Sequence, residues 1–563
     1  MSTSNLFVLT AVLLLFVYAI VRAQSQKKFS EGGRRLPGPK GLPFIGSVLD
    51  LPELSYLKFH EWAKTYGPIF QVSLLGETHV VVTSPAIAKD LLLKRSANYW
   101  QRPPMPALEH ERPHDEQYIV IASTEQQWQR QRKFSKHIMD VSKRAAYYGY
   151  PELESIRLLQ ELIENPKDYE QVMEAFVSRV TSRLAWGTAS PHKEIKQRAI
   201  EMFTAAGPTS PGNLMPFVMS LPEALSPPKA KEYRRRRTEN KFLRDMRDRV
   251  AKTITSGSST TSWMRQFLEN QEKWGFTSDV EGATEIGSHT TAGAFNMAAA
   301  MQSFCLAMCY YPQYQPLLQE EIDRICGEDV PTSDRIAEMP VLRALVRETM
   351  RWRPVVPTGI PNRAAEDDVY NGYLIPKDAI IHAPEWSMGR DCEIYPTYKE
   401  PLSRYPSIVE SSQFGHGKRY CLGTGLAEAD MFVGFGALAW LFTISLPGTP
   451  SQLEHPSFPP GVTTAPPTAP SKAQIEAVAG LAAAHTPSPP LSGKHSDDPT
   501  LRYTSMMICK PLPFDFDLTV RSEKRADAIR DRFLELDARG EFEPAECFWE
   551  GGNYGTKEFG WTI

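Results

Sequence analysis

The ten residues from Phe414 to Gly423 (FGHGKRYCLG) constrain this chain more than any other segment. Three of them are glycines, which permit a tight backbone and the close approach of a flat ligand. Cys421 lies just before Gly425–Phe442, an apolar stretch that predicts a buried helix. A cysteine at a helix N-terminus beside basic groups such as Arg419 is stabilised as the thiolate, the form that binds a metal ion. The segment therefore predicts a metal–thiolate site shaped for a flat ligand.

Two further helices carry unusual polar residues. A long helix is predicted over Glu285–Tyr311, which is apolar nearly all round, as buried helices are. Near its start, the residues Gly287-Ser288-His289-Thr290-Thr291 include poor helix formers, so a requirement other than helix propensity selected them. Another helix begins at Pro340 and places Glu348 and Arg351 on one face. These two form either a surface ion pair or, given their apolar neighbours, a buried structural pair.

The β-structure predicted from the sequence is small. Ile69–Leu75 and Thr78–Thr83 are β-rich runs that form a hairpin about a Gly76-Glu77 turn. Residues 369–382 indicate short strands around Asn371-Gly372, and most of the chain between the hairpin and residue 350 has a helical pattern. The predicted fold class is mainly α with small β-sheets.

The loop pattern Phe414-x-x-Gly417-x-Arg419-x-Cys421-x-Gly423 resembles the haem-binding loop of the cytochrome P450 family at every fixed position. The resemblance covers about 36–445, resumes near 500, and is strongest to filamentous-fungal microsomal members. Four other segments resemble motifs of that family: the Glu348-x-x-Arg351 pair, a proline hinge at 36–43, Trp128-x-x-x-Arg132, and the strand after the Glu-x-x-Arg helix, Val355-x-Pro357-x-Gly359-x-Pro361.

The resemblance implies a P450 fold that holds haem b, with the Cys421 thiolate as proximal iron ligand. Trp128, Arg132 and Arg419 would hold the haem propionates. Phe414 would pack near the sulfur, and Gly417 and Gly423 would complete the cofactor loop. Thr290 would face the distal oxygen and organise proton delivery. The implied reaction inserts one atom of O2 into a small lipophilic substrate.

The same resemblance implies partners. NADPH would supply electrons through a membrane flavoprotein reductase that docks near Lys418. Substrate contacts are expected from about 99–118, 205–220, 355–360, the long helix and the region of Ser505–Met507. Loop variation sets the substrate, so the fold does not name it; fungal secondary metabolism is the setting that the resemblance suggests.

The N-terminus predicts a membrane anchor. Residues 1–21 carry no charge, and basic residues follow from Arg22 onward, so the positive-inside rule places the rest of the chain in the cytosol. We expect an anchor at 1–22, a basic, proline-rich hinge at 23–43, and a catalytic domain facing the cytosol at the endoplasmic reticulum membrane. A cleaved signal peptide is the alternative. The seven cysteines, an odd number without C-x-x-C pairs, favour a reducing compartment.

The sequence departs from the P450 pattern at two site positions. His289 occupies the place where the family usually has an acid, and three roles stay open for it: packing or bonding to a neighbour, delivering protons, or ligating iron. Asn362 replaces the family's histidine or arginine after Pro361, which leaves Arg363 as the substitute for a propionate contact.

Two longer departures lie within the catalytic domain, 44–446, and directly after it. The meander at 396–413 is short, and Arg404 fits poorly as the third partner of the Glu348–Arg351 pair. Residues 447–499 contain 12 prolines among 53 residues, which is typical of a disordered insertion. C-terminal strands and a tail of the same domain are expected at 500–563. A faulty gene model is one hypothesis for both departures.

Composition excludes some functions. With 63 basic and 66 acidic residues the net charge is −3, which gives no argument for nucleic-acid binding. The basic run Arg234–Arg237 is interpreted as a solvated helix face. His110 and His114 have metal-ligand spacing, but Pro113 between them argues against a helical pair. Two alternatives to the monooxygenase stay open: a haem-thiolate isomerase or rearrangement enzyme, and a catalytically impaired product of a faulty gene model.

Overall fold

The computed structural model describes residues 33–121, 125–207, 210–391, 408, 411–448 and 499–544. The chain divides into two compact units, and each is described by itself. Unit 1 contains the described residues up to Pro103, together with 357–391 and 415–420. Unit 2 contains 104–356, the described residues of 392–414, and everything described from Cys421 onward.

Unit 1 is built on two small sheets and one longer helix, α1 (Ser55–Tyr66). One sheet has the strand order β1-β6-β5 and the other β2-β3-β7-β4, with β3 and β7 parallel. Their bounds are β1 Arg34–Arg35, β2 Ile69–Leu74, β3 Glu77–Val82, β4 Asn362–Arg363, β5 Asp368–Tyr370, β6 Tyr373–Ile375 and β7 Ile380–His382. Short helical turns lie at Val48–Asp50, Pro85–Ala88, Lys89–Lys94, Ser96–Tyr99, Glu385–Met388 and Gly417–Arg419.

The predicted hairpin is confirmed as β2 and β3, which pair antiparallel from Ile69 opposite Val82 to Leu74 opposite Glu77. The turn lies one residue earlier than expected. Leu75 and Gly76 both have positive φ, 50° and 86°, as a tight hairpin turn with matching twist requires. The strands bury Phe70, Val72 and Val81 against Phe59 and Trp62 of α1.

The expected strand at 355–361 is wrong. No residue of 355–361, all of which are described, is in a strand. The first strand after this segment is β4, Asn362–Arg363, which pairs with β7. Prolines at 357 and 361 cannot donate to a ladder. Gly359 has φ of 65°, and a Cβ there would lie 2.6 Å from the Ala383 carbonyl oxygen, so the chain turns tightly instead of extending.

Unit 2 is helical, with one two-stranded sheet in which β8 (Phe442–Ser445) pairs antiparallel with β9 (Asp517–Val520). Its longer helices are α2 Glu125–Arg144, α3 Tyr150–Glu164, α4 Tyr169–Trp186, α5 His192–Ala206, α6 Pro227–Thr255, α7 Trp263–Leu268, α8 Asp279–Gly293, α9 Asn296–Tyr310, α10 Gln315–Cys326, α11 Pro340–Trp352, α12 Thr424–Leu441 and α13 Glu523–Ala538. Shorter helical pieces lie at Pro106–Glu109, His114–Glu116, Ala146–Gly149, Pro166–Asp168, Pro211–Leu214, Phe217–Ser220, Glu223–Leu225, Gln271–Trp274, Pro312–Tyr314, Ser333–Glu338, Ser412–Phe414 and Pro499–Leu501.

The single helix expected over Glu285–Tyr311 is two helices, α8 and α9, separated by Ala294 and Phe295. Phe295 leaves the helical region at φ −150° and ψ 4°. Just before the break, Thr290 and Thr291 donate their hydroxyl hydrogens to carbonyl oxygens one turn earlier. Such back-bonding bends helices. The helix also starts earlier than expected, at Asp279, where Ser278 caps the amide of Glu281.

The fold class predicted from the sequence, mainly α with small sheets, is confirmed. The predicted anchor at 1–22, most of the hinge, most of the meander at 396–413 and residues 449–498 lie outside the described residues. Among the described residues, Asp279–Tyr310 is long and apolar enough to cross a membrane, but it is mostly buried inside the protein. It is therefore a core segment of unit 2.

Candidate functional site

The Cys421 backbone is fixed in unit 2 by the start of α12. Its amide donates to the Phe414 carbonyl oxygen at 2.8 Å, and Thr424 Oγ1 donates to the Cys421 carbonyl oxygen at 3.0 Å. The Phe414 side chain is buried. Gly423 lies beside the sulfur, because a Cβ on this residue would be 3.8 Å from Sγ. The position of Gly423 beside the sulfur is therefore observed, whereas the packing of the Phe414 side chain near the sulfur stays a prediction.

The Cys421 thiol is accessible, whereas the other described cysteines, at 305, 309, 326 and 509, are buried. Cys421 is exposed to solvent, but protein atoms also surround its side chain. This partial burial is the largest influence on the thiol and raises its pKa. The pKa of the thiol is lowered by the Gly423 amide, Arg132 and Thr424, but by less than burial raises it. The thiolate predicted from the helix terminus and the basic groups stays a prediction, and a bound metal ion would also favour deprotonation.

Residues 415–420 belong to unit 1. Gly415 and Gly417 have φ of 85° and 55°, and a Cβ on Gly417 would lie 2.1 Å from the Leu92 carbonyl oxygen. Only glycine fits that approach. Arg419 donates from Nε to the Trp100 carbonyl oxygen at 2.9 Å, and its guanidinium lies 5.2 Å from the Trp100 ring centroid. The backbone of the loop thus holds Arg419 in a defined position.

Trp128 and Arg132 are one turn apart on α2, with the guanidinium 5.9 Å from the Trp128 ring centroid. Burial lowers the pKa of Arg132, while the charges of Cys421 and Glu285 raise it. Both groups must therefore be near the guanidinium. The structure brings together the predicted propionate residues of α2 and the predicted iron ligand.

Glu348 and Arg351 form a bidentate pair on α11. Arg351 Nε donates to one carboxylate oxygen at 2.7 Å and a terminal nitrogen donates to the other at 2.5 Å. Their side chains are 12% and 8% exposed, which decides between the two predicted alternatives in favour of the buried structural pair. The meander residue predicted as a poor third partner, Arg404, lies outside the described residues.

On α8, Thr290 is buried and donates to the Ile286 carbonyl oxygen at 2.7 Å. His289 Nε2 lies 3.0 Å from Glu285 Oε1, and its ring meets Trp263 edge to face at 6.3 Å. Of the three roles left open for His289, bonding to a neighbour is the one seen. Ser135 of α2 also contacts Glu285 Oε1. Sequence reasoning missed Glu285 and Ser135, although the i, i+4 spacing of Glu285 and His289 was a signal.

The region of Asn362 in unit 1 differs from the expectation. Arg363 is bonded to Asp378 at 2.7 Å and is partly exposed, and its role as the substitute for a propionate contact stays a prediction. Asn362 instead bonds to Arg102, which also donates to the Ile360 and Pro361 carbonyl oxygens at 2.9 and 2.8 Å. No motif in the sequence indicated this buried arginine.

The basic run on α6 is not a solvated face. Arg234 and Arg237 are exposed, but Arg235 and Arg236 are buried. Arg235 forms a bidentate pair with Glu232, at 2.7 and 2.8 Å. Within the described residues no group of three or more His, Cys, Asp or Glu side chains is placed to hold a metal ion, and His110 and His114 belong to no such group.

The residues present fit a haem. Cys421 is exposed just before α12, the Phe414 side chain is buried, and Arg132 is near enough to Cys421 to influence its pKa. Taken by itself, unit 1 holds Arg419 against Trp100, on a loop whose glycine at 417 admits no side chain. A thiolate is a haem-iron ligand, and arginines suit propionate carboxylates.

Comparison with known proteins agrees with these residues. The family described as Cytochrome P450 matches residues 36–472. Cytochrome P450 monooxygenase 58 of Postia placenta is 31% identical over 479 residues, which cover 80% of this chain and 88% of that protein. Cytochrome P450 monooxygenase virE of Hypocrea virens is 29% identical over 439 residues, covering 73% and 79%. Cytochrome P450 monooxygenase fogE of Aspergillus ruber is 27% identical over 429 residues, covering 72% and 79%.

Proposed function

This chain belongs to the cytochrome P450 family and is a cytochrome P450 monooxygenase, and from that premise we propose that it inserts one oxygen atom from O2 into a small lipophilic substrate. The observation that carries the proposal is the exposed Cys421 just before α12, with Arg132 near enough to influence its pKa. Substrate, O2, NADPH and one proton give hydroxylated substrate, water and NADP⁺. Two electrons and two protons are therefore consumed for each oxygen atom inserted.

The cofactor of the proposal is haem b, which when bound would activate O2. Cys421 would ligate the iron, while Phe414 would shield the sulfur from water and thereby tune the iron potential. Trp128, Arg132 and Arg419 would bind the propionates. Gly417 and Gly423 would complete the cofactor loop. Glu348 and Arg351 would have a structural role, as the buried ion pair of α11.

Thr290 would organise the hydrogen-bonded groups that deliver protons to O2. Its hydroxyl is bonded to the Ile286 carbonyl oxygen, so it has to rotate or to accept a second hydrogen bond in order to act. A threonine hydroxyl can donate one hydrogen and accept two, and the accepting positions remain usable in the present arrangement. This supports Thr290 as an organiser of protons more than as their source.

The proposal places the protein at the endoplasmic reticulum membrane, anchored by residues 1–22 with the catalytic domain in the cytosol. Electrons would come from NADPH through a flavoprotein reductase, with Lys418 at the docking surface. The relatives from Postia, Hypocrea and Aspergillus are all fungal, which supports a role in fungal secondary metabolism. The identity of the substrate follows from none of these observations.

The first experiment is the difference spectrum of the reduced, carbon-monoxide-treated full chain. We expect a thiolate-type Soret band from the wild-type protein and none from Cys421→Ser. Cys509→Ser is the matched control, because Cys509 is a buried thiol elsewhere in unit 2 and should leave the band unchanged. A wild-type band that survives Cys421→Ser, or a wild-type protein that binds no haem, would overturn the proposed function.

A further inference from the structure

Glu285 is a buried carboxylate with no role so far in the proposed reaction. Its side chain is 0% exposed, on the helix that carries Thr290. One oxygen, Oε1, meets His289 Nε2 at 3.0 Å and also contacts Ser135 Oγ. The other, Oε2, is buried and has no hydrogen-bond partner among the described residues. A buried carboxylate with one oxygen unsatisfied is costly, so its retention calls for an explanation.

The contact with Glu285 constrains the protons of His289. Two acceptors cannot share a hydrogen bond, so one proton lies between Oε1 and Nε2, held either by the imidazole or by the carboxyl group. An ionised carboxylate requires it on Nε2. The ring is also held against Trp263, so it is not free to rotate away. The pair therefore stores one proton at a fixed place on α8.

The place of this proton on the helix is informative. Residues 285 and 289 are one turn apart and share a face, and 289 directly precedes Thr290. The family usually has an acid immediately before this threonine, and the chain has His289 there. The carboxylate is present after all, one turn earlier, and reaches the same position through the imidazole.

We propose that Glu285 is a positioning residue of the proton relay: its carboxylate holds the His289 imidazole in the tautomer with the proton on Nε2, and His289 then takes the place of the usual acid. The inference rests on the proposed function and deepens it. The surrounding groups agree with it: Ser135 contacts the same carboxylate oxygen from α2, and Arg132 is the cation that responds to the Glu285 charge. The relay is then a Glu–His pair in place of a single acid.

The first test reads the His289 ring directly, without substrate. Histidine labelled with nitrogen-15 is incorporated into the haem-loaded protein, and the His289 signals are assigned by their loss in His289→Gln. We expect the wild-type ring to carry its proton on Nε2 and Glu285→Gln to change the tautomer or its exchange rate. The control is Glu281→Gln, because Glu281 is also a buried carboxylate of α8 but pairs with Arg130. Unchanged His289 signals in Glu285→Gln would refute the inference.

The second test separates proton delivery from structural damage, with 7-ethoxycoumarin as the oxidised probe. Oxidation driven by NADPH, reductase and O2 consumes two protons. Oxidation driven by cumene hydroperoxide needs none, because the peroxide transfers one oxygen atom and leaves as cumyl alcohol. We expect Glu285→Gln to lower the NADPH-driven rate by about 10²-fold and to leave the hydroperoxide-driven rate within about twofold.

A double variant tests whether the NADPH-driven rate can be restored. In Glu285→Gln/His289→Asp the carboxylate stands directly before Thr290, and we expect most of the NADPH-driven rate to return. Equal losses by both routes, or no rescue, would mean that Glu285 is structural. If the wild-type protein does not oxidise the probe, the nitrogen-15 signals decide the inference. Absence of the thiolate-type band in the wild type refutes the proposed function instead, and the two failures are thus distinguishable.

Discussion

Two buried charge systems in unit 2 are built in opposite ways. Glu348 and Arg351 are three residues apart on α11, so the pair forms wherever that helix forms. The second system, here called the α6 network, consists of Arg112, Tyr118, Glu232, Arg235 and Glu239. It joins α6 to the segment 108–118, and its partners are separated by more than 100 residues of sequence.

The α6 network is the more deeply buried of the two. Arg112 and Glu239 have side-chain exposures of 0% and 2%, and a terminal nitrogen of Arg112 donates to Glu239 at 3.1 Å. Tyr118 donates its hydroxyl hydrogen to the same carboxylate at 2.6 Å, and Arg235 donates to the Tyr118 oxygen at 3.2 Å. The two arginines hold the pKa of Glu239 below its usual range despite burial, which raises it.

The two systems stabilise different levels of structure, one a single helix and the other a tertiary contact. The contact between Glu348 and Arg351 lies within one helix, so that contact by itself carries little information about tertiary structure. The α6 network can be satisfied only when segment 108–118 lies against α6, because each ion would otherwise be buried without its partner. It therefore specifies the placement of that segment, part of the region in which substrate contacts are expected.

The largest effect is expected from Glu239→Gln, which leaves Arg112 and Arg235 buried with less negative charge. Removing one partner of a buried ion pair costs about 3–5 kcal/mol of the free energy of unfolding. Urea denaturation of the haem-loaded protein measures it. The double variant Arg112→Met/Glu239→Leu should recover much of the loss, since neither charge remains. A Glu239→Gln cost no larger than that of Glu348→Gln would contradict the comparison.

Glu348→Gln should have a smaller effect, about 2 kcal/mol, because the pair is partly accessible to water and a glutamine still accepts one hydrogen bond from Arg351. The same denaturation experiment applies. Glu535→Gln is the matched control: Glu535 also pairs with an arginine three residues away, Arg532, but on an exposed face of α13. We expect its removal to leave the unfolding midpoint unchanged.

The comparison also explains what the sequence could predict. The Glu348–Arg351 pair and the Cys421 loop are local patterns, so their residue spacing was sufficient to find them. Arg235 and Arg236 look like part of a solvated basic run because their partners lie far away in sequence. Arg102 carried no local signal for the same reason. The break between α8 and α9 depended on hydroxyl contacts within the helix, which apolar composition conceals.

Asp430 on α12 contrasts with Glu239, because it is a buried acid whose pKa is lowered by no cation among the described residues. Burial, and then the nearby Glu152, raise its pKa well above the usual range, and its Oδ1 has no hydrogen-bond partner. A raised folded-state pKa means that the group favours folding at low pH and opposes it once the unfolded chain ionises. Asp430→Asn should therefore increase the free energy of unfolding at pH 7.

The gain from Asp430→Asn should shrink as pH falls toward about 4, where the unfolded aspartate also becomes protonated. Glu239→Gln should show the opposite trend, since a lowered pKa contributes stability at neutral pH that is lost in acid. Unfolding free energies of the three proteins between pH 4 and 7 test both signs. Parallel pH profiles for the two variants would show that nearby cations do not control these carboxylates.

The smallest effect is expected from replacing residues 449–498 by a short Gly/Ser linker. The C-terminal segment is held by contacts with residues that precede 449: Arg353 donates to the Thr500 carbonyl oxygen at 2.7 Å, and Tyr503 meets Ser303 at 2.9 Å. Arg521 pairs with Asp323 at 2.6 Å, and β8 pairs with β9. These are long-range contacts like those of the α6 network, but the replaced residues supply none of them.

Shortening the connection to a linker of about 16 residues should change the free energy of unfolding by no more than about 1 kcal/mol, because each halving of a flexible loop returns only about 0.6 kcal/mol. The haem content and the carbon-monoxide spectrum should be unchanged. As a control, Tyr503→Phe in the full-length chain tests a contact that does hold this segment, and it should cost more than the replacement. A large loss on replacement would show that 449–498 contributes to the fold, which would also argue against the hypothesis that this segment is a gene-model error.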